Sequence, residues 1–237
     1  MIKKILLTCV AIACTSSAFA GITRIEQAIL QKIKTNNANI PTPTSISTTE
    51  INGLFEVFAG GEIFYTDETA KIFIFGGNMI QMEEQRNLTQ ESKDKLLHVD
   101  VNSINESHGI IEKRGDGSGK LFVFSDPFCP YCQKIEEELA KLDNVTIITL
   151  MLPRPEARAT AESIWCADDK YELWTKWMIK KQQPTAKSCA NPIDDIKKFA
   201  DQNNIYSTPT LVSRDGRRIT GLASVSTITK FITTGAK

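Results

Sequence analysis

The spacing of hydrophobic residues changes along the chain and divides it into segments of different kinds. Isoleucines at helical spacing predict an amphipathic helix over residues 22–35, and the Pro-, Ser- and Thr-rich residues 36–50 predict an irregular connection. Short apolar or alternating runs, separated by glycine-rich or polar turns, then predict a β meander. Its expected strands are residues 54–58, 62–65, 71–75 and 79–82.

A polar stretch follows this meander. Residues 89–106 are mostly polar and charged, and they predict a linker helix that begins near Thr89, a residue able to serve as its N-cap. His98 and His108 have no partner at metal-ligand spacing and are therefore expected to be surface residues.

From residue 109 onward the pattern is that of an α/β domain. The expected elements are strands at residues 109–113, 121–125 and 144–150 and helices at 129–142, within 156–203 and at 224–232. The strand, helix and strand between residues 121 and 150 predict a parallel βαβ unit. Asp215-Gly216 between two apolar runs predicts a β hairpin near the end of the chain.

The first twenty residues have the pattern of a secretory signal. Lys3 and Lys4 precede an apolar run that is too short to span a bilayer, and residues 18–20 offer a small-residue cleavage site. Lipoprotein processing at Cys14 is the alternative. No later stretch has the character of a transmembrane helix. The sequence thus predicts a soluble exported protein in a compartment where disulfides form.

The remaining chain divides into a module at residues 21–86, a linker helix at 87–108 and a larger domain at 109–237. The first module has short strands with exposed edges and buries little by itself, so pairing with a second copy is its expected role. The 28 Lys and Arg residues balance 28 Asp and Glu residues, and the signal segment contains only two of the basic ones. This balance argues against a nucleic acid or an anionic membrane as the partner.

Candidate chemistry lies at Cys129-Pro130-Tyr131-Cys132, where the strand at 121–125 leads into a helix. If Cys129 is the N-cap, Pro130 occupies the first helical position, where its missing N–H costs nothing. The N–H groups of Tyr131 and Cys132 are then expected to point at the Cys129 sulfur and to favour its thiolate. Cys129 is the expected nucleophile, and Cys132 lies one turn further on, where it can resolve a mixed disulfide.

A lone CxxC can also be half of a zinc site, which Cys166 and Cys189 would complete. Placement of the CxxC at a strand–helix junction argues against a zinc knuckle. Cys166 and Cys189 are therefore expected to form a structural disulfide, and neither a metal nor a cofactor is expected. Thr208-Pro209 stands at the head of a strand, where either a cis proline or an ordinary trans turn proline is tolerated.

Three motifs in combination resemble the thioredoxin fold and, over nearly the whole chain, the periplasmic disulfide isomerase family of DsbC and DsbG. They are residues 124–132 (FSDPFCPYC), residues 164–167 (IWCA) with Cys189, and residues 207–210 (STPT). The resemblance implies an α+β protein in which a small cystatin-like dimerisation domain and a linker helix precede a thioredoxin-like catalytic domain with a helical insertion. It also implies a V-shaped homodimer.

For the active site, the resemblance implies that Cys129 is the nucleophile and Cys132 the resolving thiol. Thr208 and a cis Pro209 are expected to line the site beside the intervening Pro130 and Tyr131. The implied activity is isomerisation or reduction of incorrect disulfides in exported proteins, and a DsbD-like membrane thiol reductase is the implied partner.

Some questions about the function stay open on the sequence. The Pro-Tyr pair is DsbG-like, whereas DsbC-like proteins usually carry Gly-Tyr. Val123 stands where thioredoxin has a buried acid, which makes a strong reductant less favoured. A holdase chaperone for unfolded chains and a DsbA-like oxidase are the alternative functions.

Overall fold

The computed structural model describes residues 23–36 and 39–234. The predicted signal segment, with Cys14, lies outside these residues. The described chain up to Ala59 forms one compact unit with Phe64–Gly76, and Gly60–Ile63 joins the chain from Gly77 onward in a second unit. Within the described ranges, no helix combines the length and the hydrophobicity that are needed to cross a membrane.

The first unit is a helix packed on a sheet. Its elements are α1 (Arg24–Asn36) and strands β1 (Ser45–Thr48), β2 (Leu54–Ala59), β3 (Glu62–Asp67) and β4 (Phe73–Phe75), with the strands in the order β1-β2-β3-β4. Ile29 and Ile33 are fully buried on one face of α1 and pack against Val57 and Phe64 of the sheet. Helical spacing of the isoleucines therefore predicted the buried face of this helix correctly.

Two predictions in this region were wrong. β1 lies inside the stretch that was expected to be irregular. The strand was missed because Ile46 is the only strongly apolar residue among Ser45–Thr48. The run at residues 79–82 is not part of the four-stranded sheet. It contributes β5 (Ile80–Gln81), which pairs with β6 (Arg86–Asn87) in a separate hairpin.

The linker helix is shorter than the polar stretch suggested. Helix α2 spans Leu88–Leu96, and its N-cap is Asn87, whose side chain accepts a hydrogen bond from the N–H of Gln90. Thr89 was predicted as the cap, but it is a helical residue whose hydroxyl accepts the N–H of Met79. Beyond Leu96 the chain continues through two short 3-10 turns at Val101–Ser103 and Glu106–His108.

A mixed five-stranded sheet forms the centre of the second unit. Its strands are β7 (Ile110–Arg114), β8 (Gly119–Ser125), β9 (Val145–Met151), β10 (Thr210–Ser213) and β11 (Arg218–Thr220), in the order β11-β10-β8-β9-β7. β8 and β9 are parallel and are joined by α3 (Pro130–Leu139), so the predicted βαβ unit is confirmed. β8 is the middle strand, and Leu121, Val123 and Phe124 are fully buried.

Helices cover both faces of this sheet. They are α3, α4 (Arg158–Trp165), α5 (Lys170–Lys180), α6 (Ile193–Gln202) and α7 (Val225–Thr233). α3 and α7 pack against one apolar cluster around Val123, and α6 packs against another around Phe122. Residues 181–192, which were expected to be largely helical, are irregular between α5 and α6.

Candidate active site

Cys129 is the N-cap of α3 and Pro130 is its first residue, as the CxxC pattern predicted. The expected hydrogen bonds from the N–H groups of Tyr131 and Cys132 to the Cys129 sulfur are absent, since the Cys129 side chain makes no capping bond. Its Sγ lies instead 3.4 Å from the carbonyl oxygen of Thr208, to which a thiol can donate. In this arrangement the Cys129 thiol is positioned as a hydrogen-bond donor, whereas the capping role required its sulfur to accept.

Cys132 is fully buried behind Cys129, which keeps 9% of its surface exposed. The backbone N–H of Asp126 donates to the Cys132 sulfur at 3.4 Å. Burial raises the pKa of Cys132 to about 12, although the Ser125 and Thr208 side chains and the Asp126 N–H act in the opposite direction. The two thiols therefore differ in accessibility, and Cys132 holds its proton at neutral pH.

Thr208 and Pro209 reach the site from the chain that precedes β10. The Thr208–Pro209 peptide bond is cis, and β10 pairs with β8, so this turn lies beside the CxxC. A groove of about 520 Å³ opens next to Cys129. Its lining includes Pro130, Leu152, Pro155, Tyr206 and Thr208, which give it a largely apolar wall. Such a surface suits an extended, unfolded segment of polypeptide.

A buried carboxylate supports the loop that carries Cys129. Asp126 accepts hydrogen bonds from the N–H of Phe128 at 2.6 Å, from the N–H of Arg154 at 3.0 Å and from Arg154 Nε at 2.9 Å. Arg154 lines the same groove as Cys129, and its hydrogen bond and ion pair with Asp126 raise the pKa of its guanidinium. Neither residue was predicted: Asp126 was only part of a turn, and nothing in the sequence links it to a loop residue after β9.

The helical insertion also touches the active-site loop. Trp177 of α5 donates its indole N–H to the carbonyl oxygen of Pro127 at 2.8 Å, and its ring lies 5.6 Å from that of Phe128. Trp177 was not among the predicted site residues. Its spacing along α5 gave no sign of a contact to residues fifty positions earlier.

Cys166 and Cys189 are joined by a disulfide, with their Cα atoms 5.8 Å apart. A disulfide offers no thiolate ligands, so these residues do not complete a zinc site with the CxxC. Cys166 is the C-cap of α4, and Cys189 is exposed in the irregular stretch before α6. Across residues 23–36 and 39–234, no group of three or more His, Cys, Asp or Glu side chains is arranged to hold a metal ion.

Comparison with known proteins agrees with this geometry. Residues 107–236 match the thioredoxin-like domain family, and residues 20–90 match the disulfide bond isomerase protein N-terminal domain. The chain is 32% identical to the probable thiol:disulfide interchange protein DsbC of Bordetella pertussis over 171 residues, which are 71% of this chain and 61% of that protein. The match thus spans about three fifths of that relative's length.

Two further proteins extend the comparison. The thiol:disulfide interchange protein DsbC of Escherichia coli K12 is 26% identical over 225 residues, which are 91% of each chain. The crystal structure of a disulfide interchange protein from Neisseria gonorrhoeae has a TM-score of 0.53 and 34% identity, and the match covers 55% of this chain and 97% of that one.

The cysteine pair lies on a thioredoxin-like domain. Together they define a class of protein, the thioredoxin-fold proteins that catalyse thiol–disulfide exchange. The same chain also matches the N-terminal domain of disulfide bond isomerase proteins, and this second match narrows the class of exchange proteins to which the chain can belong. The chain belongs to the thioredoxin-like family of disulfide interchange proteins, and its N-terminal domain is of the disulfide bond isomerase type.

Proposed function

We propose that this protein is a thiol–disulfide isomerase and reductase that acts on incorrect disulfides in exported proteins. The observation that carries the proposal is the asymmetry of the redox pair: Cys129 reaches an apolar groove, and Cys132 lies fully buried behind it. A groove of this kind can hold unfolded chain against the nucleophile. The family to which the chain belongs supports the same reaction class.

The reaction is a sequence of thiol–disulfide exchanges. The Cys129 thiolate attacks one sulfur of a substrate disulfide, forms a mixed disulfide and releases the other substrate sulfur as a thiolate. If a substrate thiolate then attacks the mixed disulfide, the substrate is isomerised and Cys129 is regenerated. If Cys132 attacks instead, the substrate leaves reduced, and Cys129 and Cys132 become a disulfide that a reductant must reopen.

The first unit supports a homodimer. β4 is an edge strand of its sheet, and its outward side chains together with Ile72 are apolar and exposed. Ile72 is 67% exposed and Phe75 is 63% exposed. An apolar strand edge of this kind is a template for pairing with a second chain. Pairing of two copies through β4 would cover this edge and would bring two active-site grooves, one from each copy, into the same assembly.

We place the protein in the periplasm, with residues 1–20 as a cleaved signal, residues 21–86 as the dimerisation domain, 87–108 as the linker and 109–237 as the catalytic domain. A membrane thiol reductase of the DsbD type is the proposed electron donor. The Pro130-Tyr131 pair leaves the choice between a DsbC-like and a DsbG-like substrate range to experiment.

Reactivation of a scrambled multi-disulfide substrate at a fixed glutathione ratio tests the function. The wild type should restore substrate activity, Cys129→Ser should be inactive, and Cys132→Ser should keep partial isomerase activity because substrate thiols can still resolve the mixed disulfide. The double serine variant is then assayed for suppression of aggregation. Full suppression by that variant, with no reactivation by the wild type, would replace the isomerase by the holdase alternative.

Oxidation of a reduced, unfolded substrate by the disulfide form of the protein tests the DsbA-like alternative.

The dimer is tested by sedimentation of the wild type and of Ile74→Lys, which places a charge on the β4 edge. The Ile74→Lys variant should be monomeric. Ile111→Lys, on the exposed face of β7 in the other unit, is the matched control and should leave the mass unchanged.

A further inference from the structure

Helix α5 contacts the chain on both sides of the CxxC through two indole groups. Trp174 and Trp177 lie three positions apart and therefore share one face of the helix. Trp177 Nε1 donates to the carbonyl oxygen of Pro127 at 2.8 Å, two residues before Cys129. Trp174 Nε1 donates to Glu136 Oε1 at 3.0 Å, one turn after Cys132.

A ring contact adds to the hydrogen bond at the first of these points. The Trp177 and Phe128 rings have their centroids 5.6 Å apart at an interplanar angle of 39°, which is a favourable tilted arrangement. Phe128 is the residue directly before Cys129. Trp177 thus holds the peptide that leads into the N-cap both by its N–H group and by its ring.

The helix that carries these groups is itself firmly held. Trp174 and Met178 are buried in the same apolar cluster as Cys129 and Cys132. α5 also lies entirely within the loop that the Cys166–Cys189 disulfide closes. Its N-terminus is capped by Asp169, whose side chain accepts the N–H of Glu172 at 2.8 Å. α5 therefore has little freedom to move relative to the cysteine pair.

We infer that Trp177, supported by Trp174, is a positioning residue for the Cys129–Cys132 pair and that it favours formation of their disulfide. The inference rests on the proposed function for its biological meaning. Before the disulfide closes, the chain around Cys129 must be ordered, and this ordering opposes ring closure. α5 holds that chain in place while both thiols are still free, so less freedom is lost when the bond forms.

The contacts of Trp177 with Pro127 and Phe128 should favour the oxidised cysteine pair, so their loss should favour the reduced pair. Trp177→Phe keeps an aromatic ring beside Phe128 and removes only the N–H donor. The Pro127 carbonyl retains a hydrogen bond from Gln133 Nε2 at 3.2 Å, so no buried acceptor is left unsatisfied. The equilibrium constant for oxidation of the pair by glutathione disulfide should fall by up to about tenfold, the limit set by the full effect of one hydrogen bond. In Trp177→Leu, which also loses the ring contact, the equilibrium constant should fall further.

The experiment titrates the full-length protein with mixtures of reduced and oxidised glutathione, traps thiols with a maleimide, and reads the oxidised fraction of Cys129 and Cys132 by mass spectrometry. Trp165→Phe is the matched control. Trp165 is a partly buried tryptophan of the same insertion and packs at the edge of the same cluster. Its ring centroid lies 3.7 Å from Lys170 Nζ. Its replacement should change the melting temperature as much as Trp177→Phe does and leave the glutathione equilibrium unchanged.

Each outcome has a definite meaning. A lower equilibrium constant for Trp177→Phe, together with an unchanged constant for Trp165→Phe, supports the inference. Equal constants in the wild type and Trp177→Phe overturn it, and so does a shift that both tryptophan variants share, because a general loss of packing then explains it. Should the wild-type pair fail to form a disulfide with glutathione at all, it is the proposed function that fails. A poorly folded Trp177→Leu leaves the decision to Trp177→Phe.

Discussion

Asp126 and Arg154 form an ion pair in which the carboxylate is 1% exposed and the guanidinium side chain 55% exposed. The pair joins the loop after β8, which carries Cys129, to the loop after β9. Because the aspartate also binds the N–H groups of Phe128 and Arg154, its removal would leave two backbone donors without their acceptor. The carboxylate is thus a structural support of the active-site loop.

The Asp126→Ala variant should lose roughly 2–4 kcal/mol of unfolding free energy, since two part-buried backbone donors lose their acceptor and the ion pair with Arg154 is lost. Urea denaturation measures the change. Asp194→Ala is the matched control, because Asp194 pairs with Arg158 on the surface and is 79% exposed. That variant should be close to the wild type, and equal losses in both variants would contradict the assigned role of Asp126.

Alkylation should distinguish the two active-site thiols. Burial and the raised pKa of Cys132 predict that it stays unmodified by iodoacetamide from pH 5 to pH 9 in native protein. Cys132→Ser should therefore react at Cys129 as fast as the wild type, whereas Cys129→Ser should react at least about tenfold more slowly. Mass spectrometry of timed samples gives both rates. Rapid labelling of Cys132 in native Cys129→Ser would refute the assignment.

Loss of the Cys166–Cys189 disulfide should destabilise the protein. The bridge joins residues 23 positions apart, and closing a loop of this length contributes roughly 3 kcal/mol in the chain-entropy account. The Cys166→Ala, Cys189→Ala variant should lose about this amount in urea denaturation without reductant. In strong reductant, wild type and variant should have similar stability. A difference that persists in reductant would mean that packing of the sulfur atoms, and not the bond, is what matters.

Glu136 should make stability depend on pH. Burial raises its pKa to about 7, and Glu112 adds to this, while the Trp174 indole N–H and Arg114 act against it. Because the folded-state value lies above the ordinary ~4.3 of the unfolded chain, the stabilising contribution of protonated Glu136 is complete below that value. It is lost progressively as the pH rises to about 7.

Glu136→Gln should remove this dependence. The amide keeps an oxygen for the Trp174 N–H and carries no charge. The variant should therefore gain stability relative to the wild type between pH 4 and pH 8, by roughly 1–3 kcal/mol. Urea denaturation at four pH values measures the gain. A constant difference between the two proteins across this range would show that Glu136 does not titrate there.

The sequence predicted those parts of the fold that depend on local patterns. Pro130 after Cys129 fixed the start of α3, and the apolar run at residues 121–125 predicted the central strand β8. Helical spacing predicted the buried face of α1. In contrast, β1 was missed because its inward side chains are few, and Asn87 was missed as a cap because Thr89 is an equally suitable residue type nearby.

The parts of the site that could not be predicted depend on contacts between distant residues. Arg154 lies 28 positions from Asp126 and Trp177 lies 50 positions from Pro127, so no periodicity links them. The expected capping of the Cys129 sulfur failed for a different reason. The helix start has the predicted geometry, but the side chain turns to the Thr208 carbonyl, an acceptor that only the folded sheet brings close.

In the proposed reaction, burial of Cys132 would slow the step in which this thiol attacks the mixed disulfide and frees the substrate. Burial raises the pKa of this thiol, so only a very small fraction of it is ionised at pH 7. An ordinary substrate thiol, with a pKa of ~8.5, is ionised to ~3% at the same pH. In the proposed reaction, resolution by Cys132 would therefore be the less favoured branch, and the mixed disulfide would persist for longer. During that time the substrate's own thiols could attack the mixed disulfide, so the proposed reaction would lead more often to rearrangement than to net reduction.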